Sequence, residues 1–204
     1  MKVKWIFFDV GSTLVDETAA YDNRAREMLR GTEITFSEFV CKRKELASMG
    51  YDGNSEAIKF FGLKKTPWHS EDEVLFSDAA ETLEQLKRRG YHLGIIANQP
   101  LGTEKRLEAR GVLKFFDVVA ASAEMGIAKP DVRIFDRALA MAECEPRDSV
   151  MVGDRLDNDI IPAKSIGMHT VWIRKGTAIY QDRTCGKNAA DCIIEELADL
   201  LAIF

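Results

Sequence analysis

From residue 77 onward the chain alternates apolar runs of strand length with amphipathic stretches of helix length, and this alternation restricts the fold more than any other feature. Strands that recur between helices of this length bury themselves in a parallel sheet covered by the helices. The strand-like runs are Lys4 to Phe8, His92 to Ala97, Val118 to Ala121, Ser149 to Val152, Thr170 to Ile173 and Cys192 to Ile194. Between them, Asp78 to Arg89 places Ala79, Leu83 and Leu86 on one helical face and stops at Gly90, while Thr103 to Arg110 stops at Gly111. A glycine just past the last turn is a helix-ending signal, because it takes up a left-handed conformation without steric cost. Asp131 to Ala142 follows Pro130 and repeats apolar residues at Ile134, Phe135, Ala138, Leu139 and Met141. A last helix is expected over Glu195 to Ile203.

Residues 17–76 follow another pattern. Three helix-like stretches, Ala20 to Leu29, Ser37 to Met49 and Ser55 to Phe61, succeed one another with no convincing strand between them. This predicts an inserted helical unit that leaves the sheet after its first strand and rejoins it near Phe76. The expected organisation is a core domain of residues 1–16 and 77–204 with a small all-helical cap domain of residues 17–76.

Charge and composition narrow the partners. The 204 residues carry a net charge of −5 with acids and bases intermixed, so nucleic acid is not an expected partner. No apolar stretch approaches the roughly 20 residues needed to span a bilayer, and the first residues lack the pattern of a secretory signal. Cys41, Cys144, Cys185 and Cys192 form neither a CxxC pair nor a metal-finger spacing, which points to reduced thiols. A cytoplasmic protein with no membrane partner is the expectation.

Ligands of an open parallel sheet sit at the carboxyl ends of its strands. Four sequence segments fall there: Asp9-Val10-Gly11-Ser12-Thr13, Ala97-Asn98-Gln99-Pro100, Lys129-Pro130-Asp131, and Gly153-Asp154 with Asp157 and Asp159 beyond. Several acids converging with one lysine make a set able to hold Mg2+ and a phosphoryl group, since that hard cation takes oxygen ligands.

In order and position these four segments resemble the signature of the haloacid dehalogenase (HAD) superfamily of hydrolases. The helical insertion is similar to the cap of members whose cap enters after the first motif. The resemblance implies an α/β, Rossmann-like parallel sheet with helices on both faces. It also implies Mg2+-dependent hydrolysis of a small phosphorylated metabolite. Asp9 would attack phosphorus and form an aspartyl phosphate, and Lys129 would neutralise the accumulated negative charge. Mg2+ would be held by Asp9, the backbone carbonyl of Gly11 and Asp154, with Asp159 nearby and Asp157 and Asn158 as competitors for its place. Backbone N–H groups of Val10, Gly11 and Asn98 would cradle the phosphate with Thr13 fixing the loop, and Gln99 and Arg155 would stand near it. Asp16 reads as a helix or turn cap, and His69, His92 and His169 as structural.

Two positions depart from the family pattern. Gly11 stands where family phosphatases carry an aspartate that protonates the leaving group and then activates water. Such acid–base catalysis is typically worth about 10² to 10⁴ in rate, and its loss is felt most with poor leaving groups. Ala97 stands where a serine or threonine normally bonds the phosphate. Glu17, Asp22 and Glu45 of the cap are candidates to replace the missing acid, and the sequence does not rank them. Two other readings follow: a phosphate-binding or regulatory protein with impaired turnover, and a haloacid dehalogenase, which uses the same aspartate without a metal. The acid-rich fourth motif argues against the dehalogenase.

Overall fold

The computed structural model describes residues 3–187 and 189–204. Along the chain run β1 (Trp5–Phe8), β2 (Val15–Asp16), α1 (Thr18–Met28), α2 (Phe36–Ser48), α3 (Gly53–Phe60), β3 (Val74–Leu75), α4 (Ala79–Arg88), β4 (His92–Ala97) and α5 (Thr103–Ala109). They are followed by β5 (Val118–Ala121), α6 (Ser122–Met125), α7 (Val132–Met141), β6 (Ser149–Gly153), α8 (Ile161–Ser165), β7 (His169–Ile173), α9 (Arg183–Lys187), β8 (Cys192–Ile194) and α10 (Leu200–Ile203). Among the described residues six strands form one parallel sheet in the order β5-β4-β1-β6-β7-β8.

Alternation along β1 builds the two faces. Ile6 and Phe8 pack with Leu83 and Leu86 of α4 and Leu107 of α5, whereas Phe7 points the other way onto Ile134 and Phe135 of α7. All of these side chains are at most 1% exposed, and each large one contributes about 1.5 to 3 kcal/mol by leaving water. Phe8 lies opposite Ile95 on one side and Val152 on the other, so β1 and β6 end within one residue of each other and β4 runs two residues further. The chain builds outward from β1 through β4 to β5, then crosses to β6 and continues the opposite way. That reversal opens a crevice beside the end of β1, where doubly wound sheets bind ligands.

The insertion has its own apolar cluster of Ala25, Met28, Leu29, Phe39, Ala57 and Ile58, drawn from α1, α2 and α3 and the residue after α1. Thr35 starts α2 with a capping box, accepting from the Glu38 N–H (3.2 Å) while Glu38 accepts from the Thr35 N–H (2.7 Å). Two expectations need correction. Residues 17–76 are not wholly helical, because β3 pairs antiparallel with β2, Val15 opposite Leu75 and Asp16 opposite Val74. Two-residue strands are too short to display an alternating pattern, so no periodicity marks them. The last helix is also shorter than expected: Asp199 accepts the N–H groups of Glu195 and Glu196 (3.1 Å each), which delays the helix to Leu200–Ile203 after one tight turn.

Candidate active site

Asp9 leaves β1 with its N–H bonded to the Val152 carbonyl (2.9 Å), so strand pairing fixes where its side chain begins. The loop then turns tightly. The N–H groups of Leu14 and Val15 both return to the Val10 carbonyl (2.9 Å each), and Ser12 adopts a left-handed φ of 54°. Backbone bonds therefore fix the loop. Thr13, expected to do so, is fully buried, and its Oγ1 has no hydrogen-bond partner among the described residues.

Lys129 enters from the loop after α6, and its ammonium is saturated by three acceptors. Nζ donates to Asp9 Oδ1 (2.6 Å), Asp159 Oδ1 (2.6 Å) and the Ile96 carbonyl (2.8 Å). Asn98, at the end of β4, clamps the backbone of that lysine: its Oδ1 accepts the Lys129 N–H (2.8 Å) and its Nδ2 donates to the Lys129 carbonyl (2.9 Å). The Asn98 side chain is thus engaged in positioning Lys129. Gln99 donates its N–H to Ser122 Oγ (3.1 Å) and lies at the cavity wall.

Beyond β6 the chain makes one wide turn, in which the N–H groups of Asp159 (2.9 Å) and Ile160 (3.3 Å) both reach the Arg155 carbonyl. The turn presses Asp159 against Gly153, where an added Cβ would lie 2.5 Å from the Asp159 Cβ. Glycine alone permits that approach. The spacing had left three residues open, and the turn sends them to different places. Asp159 faces inward with Oδ2 accepting the Arg155 N–H (3.0 Å), Asn158 lines the cavity, and Asp157 turns outward to pair with Arg155. Asp154 is 6% exposed, its carbonyl accepting the Trp172 indole N–H (2.7 Å).

Asp9, Asp154 and Asp159 each offer a carboxylate oxygen within 4.8 Å of the others. One ammonium faces this trio. Burial pushes the Asp9 carboxyl up to about 6 despite the pull of Lys129, and burial together with Asp159 and Asp9 holds Asp154 well above the usual carboxylate range. Burial acts to lower Lys129, but Asp159 and Asp9 outweigh it and raise it above its ordinary value. An all-oxygen cluster short of positive charge fits a hard divalent cation. Asp159 is engaged at both oxygens, by Lys129 at Oδ1 and by the Arg155 N–H at Oδ2, whereas Lys129 meets Asp9 at Oδ1.

A pH dependence of the metal-free protein follows from these positions. Between the usual carboxylate range and about 6 the folded chain keeps a proton on Asp9 that the unfolded chain has released; for Glu17 the window extends to about 8. More protons bound to the folded state means that stability falls as pH rises through this window. In EDTA the urea midpoint is expected to be lower at about pH 8 than at about pH 5, and Mg2+ is expected to shrink the difference. A midpoint that rises over this range would contradict the assignment.

Glu17 comes from the start of the insertion. It precedes α1, accepts a hydrogen bond from Ser12 Oγ at Oε2 (3.3 Å), and is pushed up to about 8 by burial, then by Asp9 and Glu73. A Cβ added to Gly11 would lie 2.6 Å from each of its carboxylate oxygens. Asp16 accepts the Thr18 N–H (2.8 Å) in a turn across Glu17, the residue at the start of α1. The floor of the crevice is a cavity of about 180 Å3 lined by Asp9, Gly11, Glu17, Asp154, Arg155 and Asn158 among others. Beside it lies a larger cavity of about 470 Å3, walled by residues of the insertion such as Arg24, Phe39, Ile58 and Trp68. Glu17, Tyr21, Asn54, Asn98 and Gln99 border both. Arg155 reaches the helical insertion, donating to Asp52 Oδ2 (2.9 Å) at the start of α3. Sequence reasoning missed Asp52 as a partner, and only its place before a helix marked it. His69 pairs with Glu27 and Glu71, His92 with Asp117 and His169 with Asp191, and none lines the site.

The family model described as haloacid dehalogenase-like hydrolase matches residues 6–173. A glyceraldehyde 3-phosphate phosphatase of Methanothermobacter thermautotrophicus is 30% identical, the match covering 98% of this chain and 99% of that protein. A pyrophosphatase of Bacillus velezensis is 32% identical over 99% of this chain and 96% of its own length. Among solved structures, a HAD phosphatase from Thermococcus onnurineus superposes with a TM-score of 0.68 at 29% identity, covering 98% of this chain and 97% of that one. The motifs that end β1, β4 and β6, the lysine between them and the extent of these matches agree: the chain belongs to the haloacid dehalogenase-like hydrolases.

Proposed function

We propose that this protein is a Mg2+-dependent phosphatase that hydrolyses a small phosphorylated metabolite through an aspartyl-phosphate intermediate. The observation that carries the reading is the Asp9 carboxylate, held by Lys129 at the floor of the 180 Å3 cavity with Asp154 beside it. The phosphatase names of the relatives support it. In this reading residues 17–76 are a cap domain over a core of residues 1–16 and 77–204, and the cytoplasm is the site of action. The small cavity takes the phosphate, and the larger one takes a compact organic group.

Asp9 is the nucleophile. Lys129 orients it through Oδ1 and, with Asp159 fixed behind, balances part of the charge that builds when a phosphate dianion approaches. Asp9, the Gly11 carbonyl and Asp154 would hold Mg2+, with Asp159 behind them. When bound, the ion supplies further charge neutralisation at the phosphoryl oxygens. N–H groups of the Val10–Gly11 loop and of Asn98 cradle the phosphate in this reading, with Gln99 and Arg155 at the rim. Carbon–halogen hydrolysis is the poorer match, because a departing halide makes little use of three clustered carboxylates and a lysine.

The test is a panel of p-nitrophenyl phosphate, acetyl phosphate, glyceraldehyde 3-phosphate and a chlorinated acid, assayed with Mg2+ and with EDTA. Turnover of phosphates is expected with Mg2+ and a fall of about 100-fold or more in EDTA. Equal rates in both, or turnover of the chlorinated acid alone, would overturn the reading.

A further inference from the structure

The loop that carries the nucleophile has no acid at residue 11, yet the space that such an acid would claim already holds a carboxyl group. A Cβ on Gly11 would sit 2.6 Å from both Oε1 and Oε2 of Glu17. Side chains at 11 and 17 therefore compete for one volume. Gly11 lies outside the left-handed region, so it is the presence of Glu17, and not the backbone, that excludes a side chain there.

Two features hold Glu17 in this place. Its residue follows directly on β2, whose pairing with β3 fixes the entry to the cap, and its carbonyl accepts the Tyr21 N–H (2.9 Å) in the first turn of α1. Its carboxyl group then takes the hydrogen bond from Ser12 of the nucleophile loop. Other acids of the insertion have partners of their own: Asp52, which lines the smaller cavity, pairs with Arg155, Glu73 of the larger one with Arg110, Asp22 with Arg43 and Glu45 with Lys42.

Glu17 also borders both cavities. A substrate with its phosphorus facing Asp9 and its organic part in the larger cavity must place the bridging oxygen where the two cavities meet. We propose that Glu17, from the cap, replaces the absent loop acid as the catalytic proton donor to that oxygen, and as the base for the water that follows. The inference rests on the phosphatase reading above.

The steps balance. Asp9 Oδ forms a bond to phosphorus as the bond from phosphorus to the bridging oxygen breaks, and that oxygen takes the Glu17 proton to leave as an alcohol. Water then attacks the phosphorus of phospho-Asp9, giving one proton to Glu17, while the bond from phosphorus to Asp9 breaks and phosphate departs.

The experiment compares wild type, Glu17→Gln, Glu17→Ala and the double variant Gly11→Asp/Glu17→Ala on glycerol phosphate, p-nitrophenyl phosphate and acetyl phosphate. In Glu17→Gln, kcat/KM for the alkyl phosphate is expected to fall by about 10² to 10⁴, and for the other two by less than about tenfold, because their leaving groups need no proton. p-Nitrophenol is expected to appear in a burst as phospho-Asp9 accumulates. The double variant, with its carboxyl back on the loop, is expected to recover at least about tenfold of the alkyl activity lost in Glu17→Ala. Calorimetric affinities for Mg2+ and inorganic phosphate are expected to stay within about threefold in Glu17→Gln, about 0.65 kcal/mol.

An equal fall of kcat/KM on all three substrates, no recovery in the double variant, or a tenfold loss of Mg2+ affinity would overturn the role of Glu17. Wild-type turnover that Asp9→Asn abolishes leaves the phosphatase reading intact in each of those cases. A wild type inactive on every substrate removes both.

Discussion

Asp9→Asn is expected to cut turnover of every phosphate substrate by on the order of 10⁴ to 10⁶, the range seen when an enzyme loses its nucleophile or the partner that activates it. The amide keeps the shape, and its oxygen can still accept from Lys129, so the change removes the attacking anion and little else. Stability is expected to move the other way. Burial raises the Asp9 carboxyl to about 6, so near neutral pH the folded metal-free chain carries an ionised Asp9 at a cost that the asparagine avoids. In EDTA the urea midpoint of the variant should match or exceed that of the wild type. Retained activity within tenfold would mean that another group attacks phosphorus, and a large drop in midpoint would mean that the loss of activity reflects unfolding.

Lys129→Met is expected to destabilise the metal-free protein by about 3 to 5 kcal/mol, the usual cost of breaking a buried ion pair from one side. Methionine fills the channel occupied by the lysine stem, so packing is nearly conserved and the effect isolates charge. What remains is Asp9, Asp154 and Asp159 within reach of one another with no cation among them. Mg2+ should then stabilise the variant more than it stabilises the wild type, because the ion is the remaining positive charge for the cluster. Urea unfolding with and without Mg2+ measures both quantities. An equal gain from Mg2+ in the two proteins would show that lost packing, not unpaired charge, causes the instability.

The sheet was legible in the sequence because its strands are continuous apolar runs: Val118–Ala121 and Cys192–Ile194 have the ends expected, and β1, β6 and β7 differ by one residue at an end. The residues gathered at the strand ends were legible for the same reason, since the ends of β1, β4 and β6 are fixed once the strands are. What escaped depends on contacts between segments far apart. Nothing local tells that the Asn98 side chain spends itself on the Lys129 backbone, or that Arg155 reaches Asp52 across 103 positions. Thr13 turned inward for a related reason: the loop closes through the Val10 carbonyl, an acceptor that every residue carries and no motif displays. Asp159 was separable from Asp157 and Asn158 only through the wide turn after β6, whose phase differs from an ordinary helix.

The short pairing of β2 with β3 has a consequence for how this protein could be re-engineered. Val15 and Leu75 face each other as antiparallel partners, about 4.5 to 5.5 Å apart at Cα, and all six strands of the large sheet lie outside residues 16–74. A two-residue turn can bridge such a gap, which makes the segment between them a cassette, open to deletion or to grafting from a relative. Glu17 travels with the cassette, so a transplanted insertion exchanges the immediate surroundings of Asp9 along with most walls of the larger cavity.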